Sequence, residues 1–183
     1  MTVIGILTGG QAKRMGGKPK GLLVAPDGTR LIDRTVAIAR ASSQAVFLVG
    51  SGDRYGLNLP VISDPQGEPK GPLGGLSSLL EQAKSGSVVA LACDMPFLTR
   101  KLLARLVSHT STAAALAPRR GGRWEPLCAR YDAARARPVV AARLAAGKLD
   151  LQGLLSELEA EELPLEPGDD RALTDWDAPE DLS

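Results

Sequence analysis

Histidine is almost absent from this chain. A single His and two Cys among 183 residues leave too few ligands for the common zinc sites and no ready base for a Ser-His-Asp hydrolase. The one imidazole, His109, falls at the end of an expected helix and is read as non-catalytic. Cys93 and Cys128 have no framework spacing, which argues against a small disulfide-stapled secreted fold. Aromatic residues are equally scarce, with two each of Trp, Tyr and Phe, too few for the base-stacking platforms of single-strand binders. No nucleic-acid partner is expected. Nor does any apolar run approach the roughly eighteen residues that would cross a bilayer, so no membrane partner is expected either. The opening Met1-Thr-Val-Ile-Gly-Ile-Leu7 lacks a basic stretch and a long enough apolar core for a signal peptide, which points to the cytoplasm.

What remains is the composition of one ordinary globular domain, with 44% hydrophobic and 23% charged residues. The net charge of +1 is a balance of unlike parts. Through Leu149 there are 21 Lys and Arg against 9 Asp and Glu, and from Asp150 onward 1 against 12. A small anionic substrate fits the basic part.

Short apolar runs alternate with amphipathic stretches, the pattern of a mainly parallel sheet between helices. The expected fold is therefore α/β, three-layered and Rossmann-like, over residues 1–183, with halves at 1–107 and 108–183. Strands are expected at Val3 to Leu7, Ala45 to Val49 and Val88 to Cys93; the last shows no polar alternation and should be central. Leu31 to Ala41 and Pro72 to Ala83 should be crossover helices, the second opening on a proline. Thr99 should cap a helix over Arg100 to Val107. Beyond it, Ala113 to Ala117 and Trp124 to Tyr131 read as strands around a Gly121-Gly122 turn, with helices at Asp132 to Ala146 and Leu151 to Ala160. Glu157 to Asp170 reads as a solvated helix face and loop, and Pro179 to Leu182 as the start of a terminal helix.

The first strand runs into Thr8-Gly-Gly-Gln-Ala-Lys-Arg-Met-Gly-Gly-Lys-Pro-Lys20. Four glycines and four cations stand there before the first acid, Asp27, which is the composition of a phosphate cradle at the carboxyl end of a strand. A solvated basic turn is the alternative. Neither Gly-x-x-x-x-Gly-Lys-Ser/Thr nor Gly-x-Gly-x-x-Gly fits here, and Gly50-Ser-Gly52 needs no explanation beyond a turn. Asp94 ends the expected buried strand and faces the same crevice. It is either a helix cap or a ligand for Mg²⁺, a hard cation held by one or two carboxylates plus substrate phosphates.

Leu7-Thr-Gly-Gly-x-x-x-Arg14-Met-Gly-x-x-x-Lys20 resembles the signature of small nucleotidyltransferases with the nucleotide-diphospho-sugar transferase fold, most closely the molybdenum cofactor guanylyltransferases. Asp64, Gly71-Pro-Leu-Gly-Gly-Leu76, Cys93-Asp-Met-Pro96 and Pro179-Glu-Asp-Leu182 follow in that family's order, so the resemblance spans nearly the whole chain. It implies transfer of GMP from GTP to molybdopterin with release of pyrophosphate, and molybdoenzymes or cofactor chaperones as partners. By the same resemblance Gly9 and Gly10 hold the triphosphate through backbone N–H groups, and Arg14 and Lys20 bind it and offset charge on the leaving pyrophosphate. Asp94 ligates Mg²⁺, Asp64 contacts the nucleotide, and Leu7 and Thr8 lie beside the base. Asp64 before Pro65 can equally be a turn former, and Lys13 and Lys18 read as solvated.

Two departures from the family stand out. Gly50 replaces a usual Asn after the second strand, and Asp175-Trp-Asp177 replaces Asn-x-Asn. Asp177 is thus a candidate second metal ligand, or the cap of the last helix with Glu180 answering three residues on. Arg119, Arg120 and Arg123 either meet the acceptor phosphate or form an exposed basic turn. The chemistry requires no general base, since a phosphate monoester is already ionised near neutral pH; it requires charge neutralisation and in-line positioning. Two rivals remain: a cytidylyltransferase of the same architecture, and a nucleotide-binding regulatory module without turnover.

Overall fold

The computed structural model describes residues 2–8, 19–25, 27–50, 55–63 and 70–176. In chain order the elements are β1 (Thr2–Leu7), α1 (Leu31–Ser42), β2 (Val46–Val49), β3 (Val61–Ile62), α2 (Gly71–Ala83), β4 (Ser87–Ala92) and α3 (Arg100–Ser108). The second part adds β5 (Ala115–Ala117), β6 (Arg119–Arg120), β7 (Arg123–Trp124), β8 (Cys128–Asp132), α4 (Ala133–Ala145), α5 (Leu151–Glu157), β9 (Glu161–Glu162) and α6 (Asp169–Ala172).

Seven strands form one sheet in the order β3-β2-β1-β4-β8-β5-β9. Every pairing is parallel except those of β8, which runs against both β4 and β5. β4 lies at the centre, and its apolar run explains why: Val88, Val89, Ala90 and Leu91 are all fully buried, with helices on both faces to cover them. One face packs Leu73, Leu76, Leu79 and Leu80 of α2, Ala136 and Val140 of α4 and the leucines of α5. The other packs Ile32 and Val36 of α1, Leu102, Leu103 and Leu106 of α3, and Ala172 of α6. This is the expected three-layer α/β architecture.

The strand order reverses at β1, with β2 on one side and β4 on the other. A crevice for ligands opens at the carboxyl ends of such a pair. Glycine brings α2 close to this edge: a Cβ on Gly75 would lie 3.2 Å from Val49 Cγ1 and 3.3 Å from Leu7 Cδ2. The first turn of α2, with Pro72 near its start, therefore sits over the ends of β1 and β2. Because β8 is reversed, its beginning also lies at the carboxyl edge, where Ala92 N–H donates to Leu127 O at 2.8 Å.

The stretch Trp124 to Tyr131, expected as one strand, is two. Trp124 belongs to a small β6-β7 hairpin, turned by Gly121 and Gly122 at φ of 55° and 78°, values that favour glycine. The chain then folds back, Cys128 N–H donating to Glu125 O at 3.1 Å, before β8 begins. Pro126 has no N–H to continue a ladder.

The acidic tail is more structured than its composition suggests. Glu161–Glu162 forms an edge strand parallel to β5, and Asp169 is only 4% exposed. Its carboxylate takes Arg105 Nη1 at 2.5 Å and Glu166 N–H at 2.8 Å, closing the loop ahead of α6. Asp169→Ala removes both contacts, and Arg105 keeps only Glu166 as a carboxylate partner, at 3.1 Å. The expected destabilisation is about 2–4 kcal/mol, measured as a lower urea midpoint at unchanged slope.

Candidate active site

Lys20 and Asp94 meet at the carboxyl edge. Lys20 opens a short 3-10 turn, Lys20–Leu22, and its Nζ lies 2.9 Å from Asp94 Oδ2, with side chains 26% and 14% exposed. The turn is packed rather than loose: a Cβ on the next residue, Gly21, would fall 2.8 Å from the ring of Tyr55. Asp94 stands two residues beyond the end of β4 and is not a helix cap. Thr99 caps α3, its side chain accepting from Leu102 N–H, which leaves the Asp94 carboxylate for the crevice. The Asp94 carbonyl accepts the Trp176 N–H at 3.0 Å.

Thr8 is buried, and both its N–H and its hydroxyl donate to Val49 O, at 2.9 and 2.8 Å. These bonds clip the end of β1 to β2 and use both Thr8 donors, so its carbonyl and hydroxyl oxygens can serve a base only as acceptors. Leu7 is buried against Gly75 and shapes the floor of the crevice. Gly9, Gly10, Arg14, Asp64 and Asp177, with Lys13 and Lys18, lie outside the described residues.

The β6-β7 hairpin stands at the same edge. Arg119 and Arg123 are exposed; the Arg119 guanidinium lies 4.7 Å over the Trp124 ring and donates to Gly122 O at 2.8 Å. Arg120 instead joins three segments. It reaches Glu125 Oε1 at 3.0 Å, Thr174 Oγ1 at 3.3 Å and Asp175 Oδ1 at 3.8 Å. Burial raises the Glu125 carboxyl above its ordinary range, and the Arg120 hydrogen bond pulls it back.

Sequence reasoning did not single out this network or the packing of Trp176. The indole is 5% exposed and packs with Leu23, Ala25 and Leu31. Phe97 meets it edge-on, centroids 6.3 Å apart at 86°. An aromatic residue between two acids near the chain's end was the only local signal. His109 lies elsewhere, at the end of α3, 3.2 Å from Glu161. It lines a separate cavity of about 300 Å³ with Ser87 and Asp132, at the opposite edge of the sheet.

The two thiols are inert by the same burial that makes β4 and β8 core strands. Desolvation, and for Cys93 the neighbouring Asp94 charge, pushes both up to about 12 from an ordinary 9.0. Both should therefore react with a disulfide reagent at pH 7.5 only as the protein unfolds. The unfolded chain ionises them first, so their contribution is constant below about pH 9 and stability falls as pH rises from there toward 12. Denaturant midpoints measured from pH 8 to 11 check the sign.

Among the described residues no group of three or more His, Cys, Asp or Glu is placed to hold a metal, and no helix is long and apolar enough to cross a membrane.

A cation and a carboxylate are thus held together at the switch point of the α/β sheet, where ligands of such folds collect. The chain belongs to the MobA-like NTP transferase domain family, whose model matches residues 4–161. It is 36% identical to the probable molybdenum cofactor guanylyltransferase of Synechococcus elongatus, over 94% of this chain and 95% of that protein. With the molybdenum cofactor guanylyltransferase of Pseudomonas entomophila it shares 33% identity over 96% and 93% of the two chains. In structure it is similar to molybdopterin-guanine dinucleotide biosynthesis protein A from Archaeoglobus fulgidus, with a TM-score of 0.81, 22% identity and coverage of 100% and 95%. The fold also matches a 2-C-methyl-D-erythritol 4-phosphate cytidylyltransferase from Thermus thermophilus, with a TM-score of 0.70, 20% identity and coverage of 100% and 96%. It is the fold of the nucleotide-diphospho-sugar transferases, and the chain is a nucleotidyltransferase.

Proposed function

We propose that this chain transfers GMP from GTP to the phosphate of molybdopterin, forming molybdopterin guanine dinucleotide and releasing pyrophosphate. The observation that carries the reading is the Lys20–Asp94 pair, fixed where β1 and β4 part. The likeness to guanylyltransferases over nearly the whole chain supplies the base and the acceptor.

In this reading an acceptor phosphate oxygen attacks the α-phosphorus, the bond from that phosphorus to the α,β-bridging oxygen breaks, and the electron pair leaves with that oxygen on pyrophosphate. The acceptor's second ionisation lies near pH 6, so no residue has to remove a proton. Gly9 and Gly10 hold the triphosphate through N–H groups, and Arg14 and Lys20 neutralise the leaving group. An ammonium carries three protons, so Lys20 can serve Asp94 and a phosphate oxygen together. Asp64 contacts the nucleotide, and Leu7 and the Thr8 carbonyl border the base.

The donor chemistry at Asp94 suits Mg²⁺: a hard oxygen ligand, half-buried, on the edge where phosphates would arrive. Asp94 and Asp177 would hold the ion. When bound, it neutralises phosphate charge and polarises the phosphoryl group. The free thiols of Cys93 and Cys128 accord with a reducing, cytoplasmic setting.

Pyrophosphate release measured with each nucleoside triphosphate and molybdopterin tests the reading. Release with GTP alone supports it. Release with CTP makes the chain a cytidylyltransferase, and GTP binding without release makes it a regulatory module.

A further inference from the structure

We infer that Trp176 is a positioning residue of the transfer site, fixing the Asp94 turn and the Thr174–Asp175 segment in one arrangement. The inference rests on the nucleotidyl-transfer reading and adds to it a residue that touches no substrate.

Two stretches far apart in sequence converge on this one side chain. Leu23, Ala25 and Leu31, which follow Lys20, form its pocket. Phe97, three residues after Asp94, closes the pocket edge-on, and the Arg171 guanidinium lies 4.5 Å over the Phe97 ring. Separately from the ring, the Trp176 main-chain N–H donates to the carbonyl of Asp94 itself at 3.0 Å. The indole thus ties the chain that presents the cation to the chain that presents the carboxylate.

It also anchors the neighbouring acid. Thr174 and Asp175 are held from the other side by Arg120, at 3.3 and 3.8 Å. A segment pinned by a buried ring and a guanidinium within three residues has little freedom to shift along the crevice. Misplacement of a ligating group by about 1 Å can cost on the order of a hundred-fold in rate, so anchoring of this kind has a kinetic consequence. The main-chain bond to Asp94 does not depend on the side chain at 176, so substitutions there test the packing of the ring alone.

The test uses the full chain with alanine, leucine or phenylalanine at position 176, and reads GTP affinity with and without Mg²⁺ beside circular dichroism and turnover. For Trp176→Ala, GTP affinity without Mg²⁺ should stay within about two-fold of the parent. The gain in affinity conferred by Mg²⁺ should shrink about ten-fold or more, with a comparable loss in kcat. Trp176→Phe, which keeps a ring in the pocket, should recover most of both. If the alanine variant does not fold, Trp176→Leu fills the pocket and is read by the same two affinities.

A folded variant with the parental Mg²⁺ gain overturns the inference. So does an equal loss of affinity with and without the ion, the mark of a merely structural role. A parent chain whose GTP binding ignores Mg²⁺ overturns the nucleotidyl-transfer reading, and this inference with it.

Discussion

Alanine at Lys20 is expected to lower kcat/KM for GTP by about a hundred- to a thousand-fold, the usual effect of deleting one preorganised charge from a site where charge develops. The ammonium stands 2.9 Å from Asp94, on a turn that Tyr55 holds in place through Gly21. The geometry is set before the reaction begins, so the loss should appear in kcat and not only in KM. Folding should suffer little. Lys20 is part-exposed, its removal strands a carboxylate that water can still reach, and a penalty of about 1–2 kcal/mol corresponds to a midpoint shift of a few degrees. Lys148→Ala, at an exposed position, is the control for loss of charge alone. Pyrophosphate release within three-fold of the parent in Lys20→Ala would remove Lys20 from the chemistry.

The second large effect belongs to Asp94. Asparagine there keeps the size and a hydrogen-bonding oxygen but removes the charge that a hard cation needs, and Mg²⁺-dependent turnover should fall about a hundred-fold or more. The fold has reason to survive the change: the Asp94 main chain, through which Trp176 docks, is untouched, and Thr99 still caps α3. Titrating turnover against Mg²⁺ separates the possibilities. A curve that saturates at the parental rate and concentration would mean that the metal is held elsewhere.

How much of this was legible in the sequence depended on the range of the contacts involved. The central strand announced itself, because Val88 to Leu91 carries no polar residue and only a doubly covered strand tolerates that. Asp94 was visible for a related reason, since it follows that apolar run, whereas Lys20 was set apart from the other cations of its loop only by the resemblance to small nucleotidyltransferases. The crossover helices, the Thr99 cap and the Gly121-Gly122 turn were likewise written in local pattern. Elements stabilised by distant partners were not. Glu161–Glu162 has no strand signature and is a strand only because β5 offers it a ladder. Asp169 looked solvated because Arg105, which buries it, lies 64 residues earlier. Trp176 meets Asp94 across most of the second part of the chain, and no spacing rule connects them.

The reversed strand β8 also bears on how the protein can be made. During synthesis β4, whose Val88 to Leu91 side chains are apolar and destined for full burial, emerges with one edge paired to β1, while the N–H and C=O groups of its other edge stay open until Cys128–Asp132 arrives. Such edges recruit other chains. A fragment that stops short of β8 therefore carries the Gly-rich loop, Lys20 and Asp94 yet is a poor candidate for a minimal enzyme, because the nascent half is sticky until the strand that runs against its neighbours seals it.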